Sequence, residues 1–128
     1  MGDRVTRILV VGHDASTTQA IRAILESHGI HVIEASNGFS AMRIISDHAP
    51  DLIFIDTCLQ GIDCTTLTAL IKKNALTCDV PVIAFTPDDT GGWDKRFVHA
   101  GCDGSMDVPH CEKEIPGILN RYKLLEDK

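Results

Sequence analysis

Apolar runs and helical patterns alternate along this chain. Runs of mostly apolar residues predict five strands. The run from Leu52 to Ile55 is apolar at every position, which is typical of a strand buried on both faces of a parallel sheet. The predicted strands are Arg7 to Val11, His31 to Ala35, Leu52 to Ile55, Pro81 to Phe85 and, more weakly, Gly104 to Met106.

Apolar residues recur at helical spacing between these runs and after the last one. Ser16 is the expected N-cap of the first helix and Asp63 that of the third. Because proline breaks a helix interior, Pro116 is expected in the first turn of the last helix. The predicted helices are Thr17 to His28, Phe39 to Asp47, Cys64 to about Asn74, a short one between Gly91-Gly92 and Ala100, and Lys113 to about Leu125.

Strands that alternate with helices favour one α/β architecture, a doubly wound parallel sheet with right-handed crossovers and helices on both faces. The 128 residues are enough for one domain with a sizeable core, so residues 1–128 are expected to form a single domain.

Composition excludes several classes of function. The formal charge is −6 and there is no basic cluster, so nucleic-acid binding is not expected. Without an apolar stretch of roughly 18 residues or a signal-peptide layout, a cytoplasmic protein without membrane contact is expected. Five cysteines without a CxxC pair favour reduced thiols. The pair His28/His31 straddles a predicted turn and the pair His99/Cys102 spans a helix end, so neither has helical ligand spacing and no structural metal is expected.

The polar residues that follow the strands carry the candidate chemistry. Asp56 ends the third apolar run, and Thr86 follows the fourth. In an open parallel sheet, the loops after the strands meet at one edge, where such folds place their sites. The residues expected together there are Gly12, His13, Asp14, Asp56, Thr86 and Val108.

Five motifs in a fixed order resemble those of response-regulator receiver domains, the phospho-aspartate switches of two-component signalling. The resemblance covers essentially the whole chain and implies a flavodoxin-like (βα)5 fold with strand order 2-1-3-4-5. The motifs are Ile8-Leu9-Val10-Val11, Asp51-Leu52-Ile53-Phe54-Ile55-Asp56, Gly61-Ile62-Asp63, Pro81-Val82-Ile83-Ala84-Phe85-Thr86 and Ala100-Gly101-Cys102-Asp103.

The resemblance implies roles for two matched residues. Asp56 takes the position of the aspartate that accepts a phosphoryl group from a histidine kinase or a phosphotransfer protein. Thr86 takes the position of the hydroxyl that binds a phosphoryl oxygen; it equally fits a simple strand-terminating residue.

The chain departs from the family at the positions around Asp56. Gly12 and His13 stand where receivers carry an acidic pair, and Val108 stands where they carry a lysine, with Pro109 still following it. Ser105 replaces the aromatic residue that moves on activation.

These departures predict weak or absent Mg²⁺ binding. Mg²⁺ prefers several oxygen ligands, and the carboxylates left for it are those of Asp56 and Asp14. His13 has three alternative interpretations: a solvated loop residue, a cation that pairs with Asp56, or a neutral metal ligand.

The leading prediction is a divergent receiver that is not an enzyme and signals through protein contacts, as a monomer or weak homodimer. The alternative is a pseudo-receiver, an interaction module that works without phosphorylation. A small α/β enzyme or nucleotide binder is disfavoured because the chain lacks a glycine-rich phosphate loop. Trp93 and Ser105 are the expected partner-facing residues, while Phe97 and Val98 are expected to pack inward.

Overall fold

Five parallel strands form one sheet with five α-helices around it. The computed structural model describes residues 5–47, 49–59, 61–86 and 95–124. The strands are β1 (Arg7–Val11), β2 (His31–Ala35), β3 (Leu52–Asp56), β4 (Val82–Thr86) and β5 (Gly104–Asp107). The helices are α1 (Ala15–Ser27), α2 (Gly38–Asp47), α3 (Cys64–Lys73), α4 (Lys95–Ala100) and α5 (Cys111–Arg121), with a 3-10 turn at Val108–His110 before α5.

The strand order is β2-β1-β3-β4-β5, which confirms the doubly wound, flavodoxin-like fold. Along β1, Ile8 and Val10 enter one apolar cluster while Leu9 and Val11 enter another. Successive strand residues point to opposite faces, so the sheet is buried on both sides. Buried residues of α1 and α5 join the first cluster, and those of α2, α3 and α4 join the second.

Two predicted helix starts are wrong. The N-cap of α1 is Asp14, so Ser16 lies inside the helix rather than at its cap. Both residues are of the capping type, and the hydroxyls of Ser16 and Thr17 contact the Asp14 carboxylate instead.

The last helix also differs from its prediction at both ends. The 3-10 turn leads directly into α5 at Cys111, and the helix ends at Arg121. Pro116 therefore lies in the helix interior, where it leaves the carbonyl of Glu112 without its usual helical donor.

Some predictions concern residues outside the described ranges. They concern Trp93 and the glycine pair Gly91-Gly92. No helix of the described residues is both long enough and apolar enough to cross a bilayer. All five cysteines are free thiols, as their spacing predicted.

Phe97 is buried in the second cluster with 8% of its surface exposed, but Val98 is 53% exposed, so only the first of the two packs inward. We expect Phe97→Ala to lower the free energy of unfolding by roughly 3 kcal/mol, because it opens a cavity. The matched control Val98→Ala should change it by less than about 0.5 kcal/mol. Urea denaturation measures both; equal effects would show that Phe97 does not anchor α4.

Candidate functional site

The Asp56 carboxylate lies at the carboxyl end of β3 and is almost fully enclosed. Only 2% of the residue is exposed. Its Oδ1 accepts a hydrogen bond from the backbone N–H of Cys58 at 2.8 Å. Its Oδ2 lies 2.6 Å from Nδ1 of His13, with the His13 backbone nitrogen at 3.4 Å. Both carboxylate oxygens are therefore already engaged by the protein.

The His13 ring lies against Asp56, which favours the interpretation that pairs these two side chains. Its side chain is 48% exposed, but Nδ1 contacts the buried carboxylate directly. An ionised carboxylate can only accept, so Nδ1 carries the hydrogen whether the ring is neutral or charged. His13 is thus a hydrogen-bond donor to Asp56 and, when protonated, its ion-pair partner.

Gly12 lets the chain pass close to Asp56. A Cβ at position 12 would lie 2.8 Å from Oγ1 of Thr18, 3.3 Å from Cζ of Phe85 and 3.8 Å from Oδ2 of Asp56. The first of these distances is too short for any real contact. A side chain here, including an aspartate, requires Thr18 or its helix to shift.

Asp14 serves the helix rather than the strand-end site. Its carboxylate accepts hydrogen bonds from the hydroxyls of Thr17, at 2.7 Å, and Ser16, at 3.2 Å. These bonds, that from Thr17 foremost, lower the pKa of the Asp14 carboxyl below its usual value. The side chain is exposed, and its carboxylate accepts these two hydroxyl hydrogen bonds rather than a capping bond from a backbone N–H.

Thr86 is buried at the end of β4 and donates its hydroxyl hydrogen to Oδ1 of Asp107 at 2.7 Å. Sequence reasoning missed this contact. The contact follows from the register of β4 and β5, in which Thr86 and Asp107 lie opposite one another at the ends of adjacent parallel strands.

The remaining candidates line the end of β5 and the turn after it. Val108 is half-buried and packs against the first apolar cluster, while Pro109 is exposed. Ser105 is exposed on β5. The position where receivers carry lysine is therefore occupied by a side chain that contributes to the core.

Among the described residues, the side chains around Asp56 are a poor match for Mg²⁺. That ion needs near-octahedral oxygen ligands and keeps several waters. Around Asp56, glycine supplies no side-chain ligand, and the histidine is a nitrogen donor that already holds the carboxylate oxygen. Asp14 is engaged at the start of α1.

Comparison with known proteins identifies the family. The family described as Response regulator receiver domain matches residues 8–117. The chain therefore belongs to the response regulator receiver domain family.

The chain is also similar in sequence to two bacterial proteins along most of its length. The phosphate regulon transcriptional regulatory protein PhoB of Pseudomonas aeruginosa is 31% identical over 112 residues, which cover 88% of this chain and 49% of PhoB. The chain thus spans about half the length of this relative. The protein PilG of the same species is 29% identical over 119 residues, covering 91% of this chain and 86% of PilG.

Solved structures confirm the fold. The receiver domain of a sensor histidine kinase from Pseudomonas aeruginosa, crystallised with magnesium in its active-site cleft, has a TM-score of 0.83 and 27% identity, over 93% of this chain and 98% of that one. A response regulator from Chloroflexus aurantiacus has a TM-score of 0.86 at 22% identity, over 94% and 99% of the two chains.

The close approach at Gly12 gives a stability prediction. Gly12→Ala should lower the free energy of unfolding by about 1–3 kcal/mol, since it overpacks the space beside Thr18. Adding Thr18→Ala should recover part of this loss. The loss of unfolding free energy in the double variant should be smaller than the summed losses of the two single variants by at least about 0.5 kcal/mol.

The control is Gly117→Ala in α5, where a Cβ meets no atom within 4 Å. That change should stabilise the protein by up to about 1 kcal/mol, because glycine is a poor helix former. Thermal or urea denaturation measures all four variants. A Gly12→Ala variant as stable as Gly117→Ala would contradict the close packing.

Proposed function

We propose that this receiver signals through protein contacts, with Asp56 as its phosphoacceptor position and with strongly impaired Mg²⁺-dependent phosphorylation. The observation that carries this proposal is the 2.6 Å contact between His13 Nδ1 and Asp56 Oδ2. Its upstream partner would be a histidine kinase or a phosphotransfer protein, as the family implies. Its role would be that of a signalling module rather than an enzyme.

Phosphorylation requires an Asp56 oxygen to form a bond to phosphorus while the bond from phosphorus to the donor breaks. The incoming group carries negative charge on three oxygens, so catalysis depends on neutralising that charge. Receivers with an acidic pair recruit a divalent cation for this purpose. Among the described residues, the His13 imidazole is the one side chain that could bring a positive charge into contact with the carboxylate.

The lysine position weakens the reaction further. Val108 offers no positive charge, and its side chain packs against the apolar cluster on one face of the sheet. The Thr86 hydroxyl donates to Asp107, and donation to a phosphoryl oxygen would require that bond to break. Each of these features slows phosphoryl transfer without removing the acceptor.

The alternative function is a pseudo-receiver that stays in one state. The same contact favours it, because a donor on each Asp56 oxygen compensates the buried carboxylate without a metal or phosphate. In this case, the surface around α4 and β5, with Ser105, would bind its partner constitutively.

Labelling with acetyl phosphate separates the two functions. We expect the wild-type protein to gain a phosphoryl group slowly and with little dependence on Mg²⁺. The variant Gly12→Asp/His13→Asp/Val108→Lys, with Thr18→Ala added to make room at position 12, should label faster by about tenfold or more, and only with Mg²⁺, because cation and lysine stabilise the transferred charge. Intact-mass spectrometry follows the reaction.

Two control variants fix the site of labelling. Asp56→Asn should abolish it in both backgrounds, whereas Asp47→Asn, an exposed aspartate on α2, should leave it unchanged. Wild-type protein that never labels would support the pseudo-receiver. A wild type that labels rapidly and with Mg²⁺ would contradict the proposed impairment.

A further inference from the structure

A second group of polar side chains lies at the carboxyl end of β5, where the chain turns into α5. Asp107 ends β5, His110 ends the 3-10 turn, and Glu114 lies in the first turn of α5. Separations of three and four residues bring side chains to one face of a helical turn. The turn and helix therefore direct these three residues toward a common space.

The potential ligand atoms of this trio all lie within 4.8 Å of one another. In the described part of the chain, it is the one set of three His, Cys, Asp or Glu side chains found this close together. Atoms bound to a common zinc ion by bonds of roughly 2.1 Å stand about 3–3.5 Å apart. The Glu114 carboxylate already lies against the end of β5, where its Oε2 is 3.5 Å from the backbone nitrogen of Asp107, and the exposed His110 ring is the side chain that would have to move closest.

Neighbouring contacts favour a ligand role for Asp107. Thr86, which lies outside the trio, donates a hydrogen bond to Oδ1 of Asp107 from the adjacent strand. Ligating carboxylates are commonly held by such an outer hydrogen bond, which fixes their orientation. Two carboxylates this close also repel one another, and a cation between them would convert that repulsion into attraction.

We propose that Asp107, His110 and Glu114 bind a divalent transition-metal ion of the zinc type, at a site distinct from the Asp56 pocket. One imidazole nitrogen and two carboxylates are borderline to hard donors, a set suited to Zn²⁺ and to its spectroscopic substitute Co²⁺. Three protein ligands leave a position for water. The bound ion would join the end of β5 to the start of α5 and hold the carboxylate that Thr86 contacts.

Isothermal titration of the full chain with Zn²⁺ under reducing conditions tests this proposal. We expect one binding site in the wild type, weakened at least about tenfold in His110→Ala and in Glu114→Gln, because even outer-shell changes weaken metal sites by that factor. The control His31→Ala removes an exposed histidine from β2, the strand at the opposite edge of the sheet, and should bind Zn²⁺ as the wild type does.

Co²⁺ identifies the ligands independently, because thiolate ligands give strong near-ultraviolet charge-transfer bands that nitrogen and oxygen ligands do not. A Co²⁺ spectrum without such bands, lost in His110→Ala, would support the site. Binding that persists in both variants, a thiolate spectrum, or no Zn²⁺ binding up to millimolar metal would overturn it. These outcomes do not depend on phosphorylation of Asp56, so they are independent of the proposed function.

Discussion

The burial of one carboxylate at the end of the central strand constrains the rest of the site. A charge enclosed as fully as that of Asp56 is costly unless donors or cations compensate it. In this chain, the compensation comes from the backbone of Cys58 and from His13. Among the described residues, the buried carboxylate is thus compensated by groups of the protein itself.

The fold makes this compensation available. β1 pairs directly with β3, with Val11 opposite Ile55, so the residues that follow each strand meet at the same edge. Gly12 is small enough for the backbone to pass between Thr18 and Asp56, which brings the next residue, His13, onto the carboxylate. Replacing an acidic pair by glycine and histidine therefore puts a hydrogen-bonding imidazole beside Asp56 without changing the topology.

Much of the fold could be predicted from the sequence, because strands such as Leu52–Asp56 are apolar enough to require burial on both faces. The start of α1 could not, since Asp14 and Ser16 are both residues of the capping type and the sequence alone does not show which of them precedes the first helical residue. The site was predicted as a set of positions. The contacts of His13 and of Thr86 were not, because they depend on side-chain rotamers and strand register.

A double-mutant cycle of His13→Ala and Asp56→Asn, followed by urea denaturation near neutral pH, tests most directly whether His13 compensates the buried carboxylate. His13→Ala should destabilise the wild type more than it destabilises the Asp56→Asn variant. Because His13 is half-exposed, the coupling should fall toward the lower part of the range of roughly 0.5–3 kcal/mol seen for contacting residues. Effects that add to within about 0.3 kcal/mol would contradict the account, since such additivity is typical of residues that do not interact.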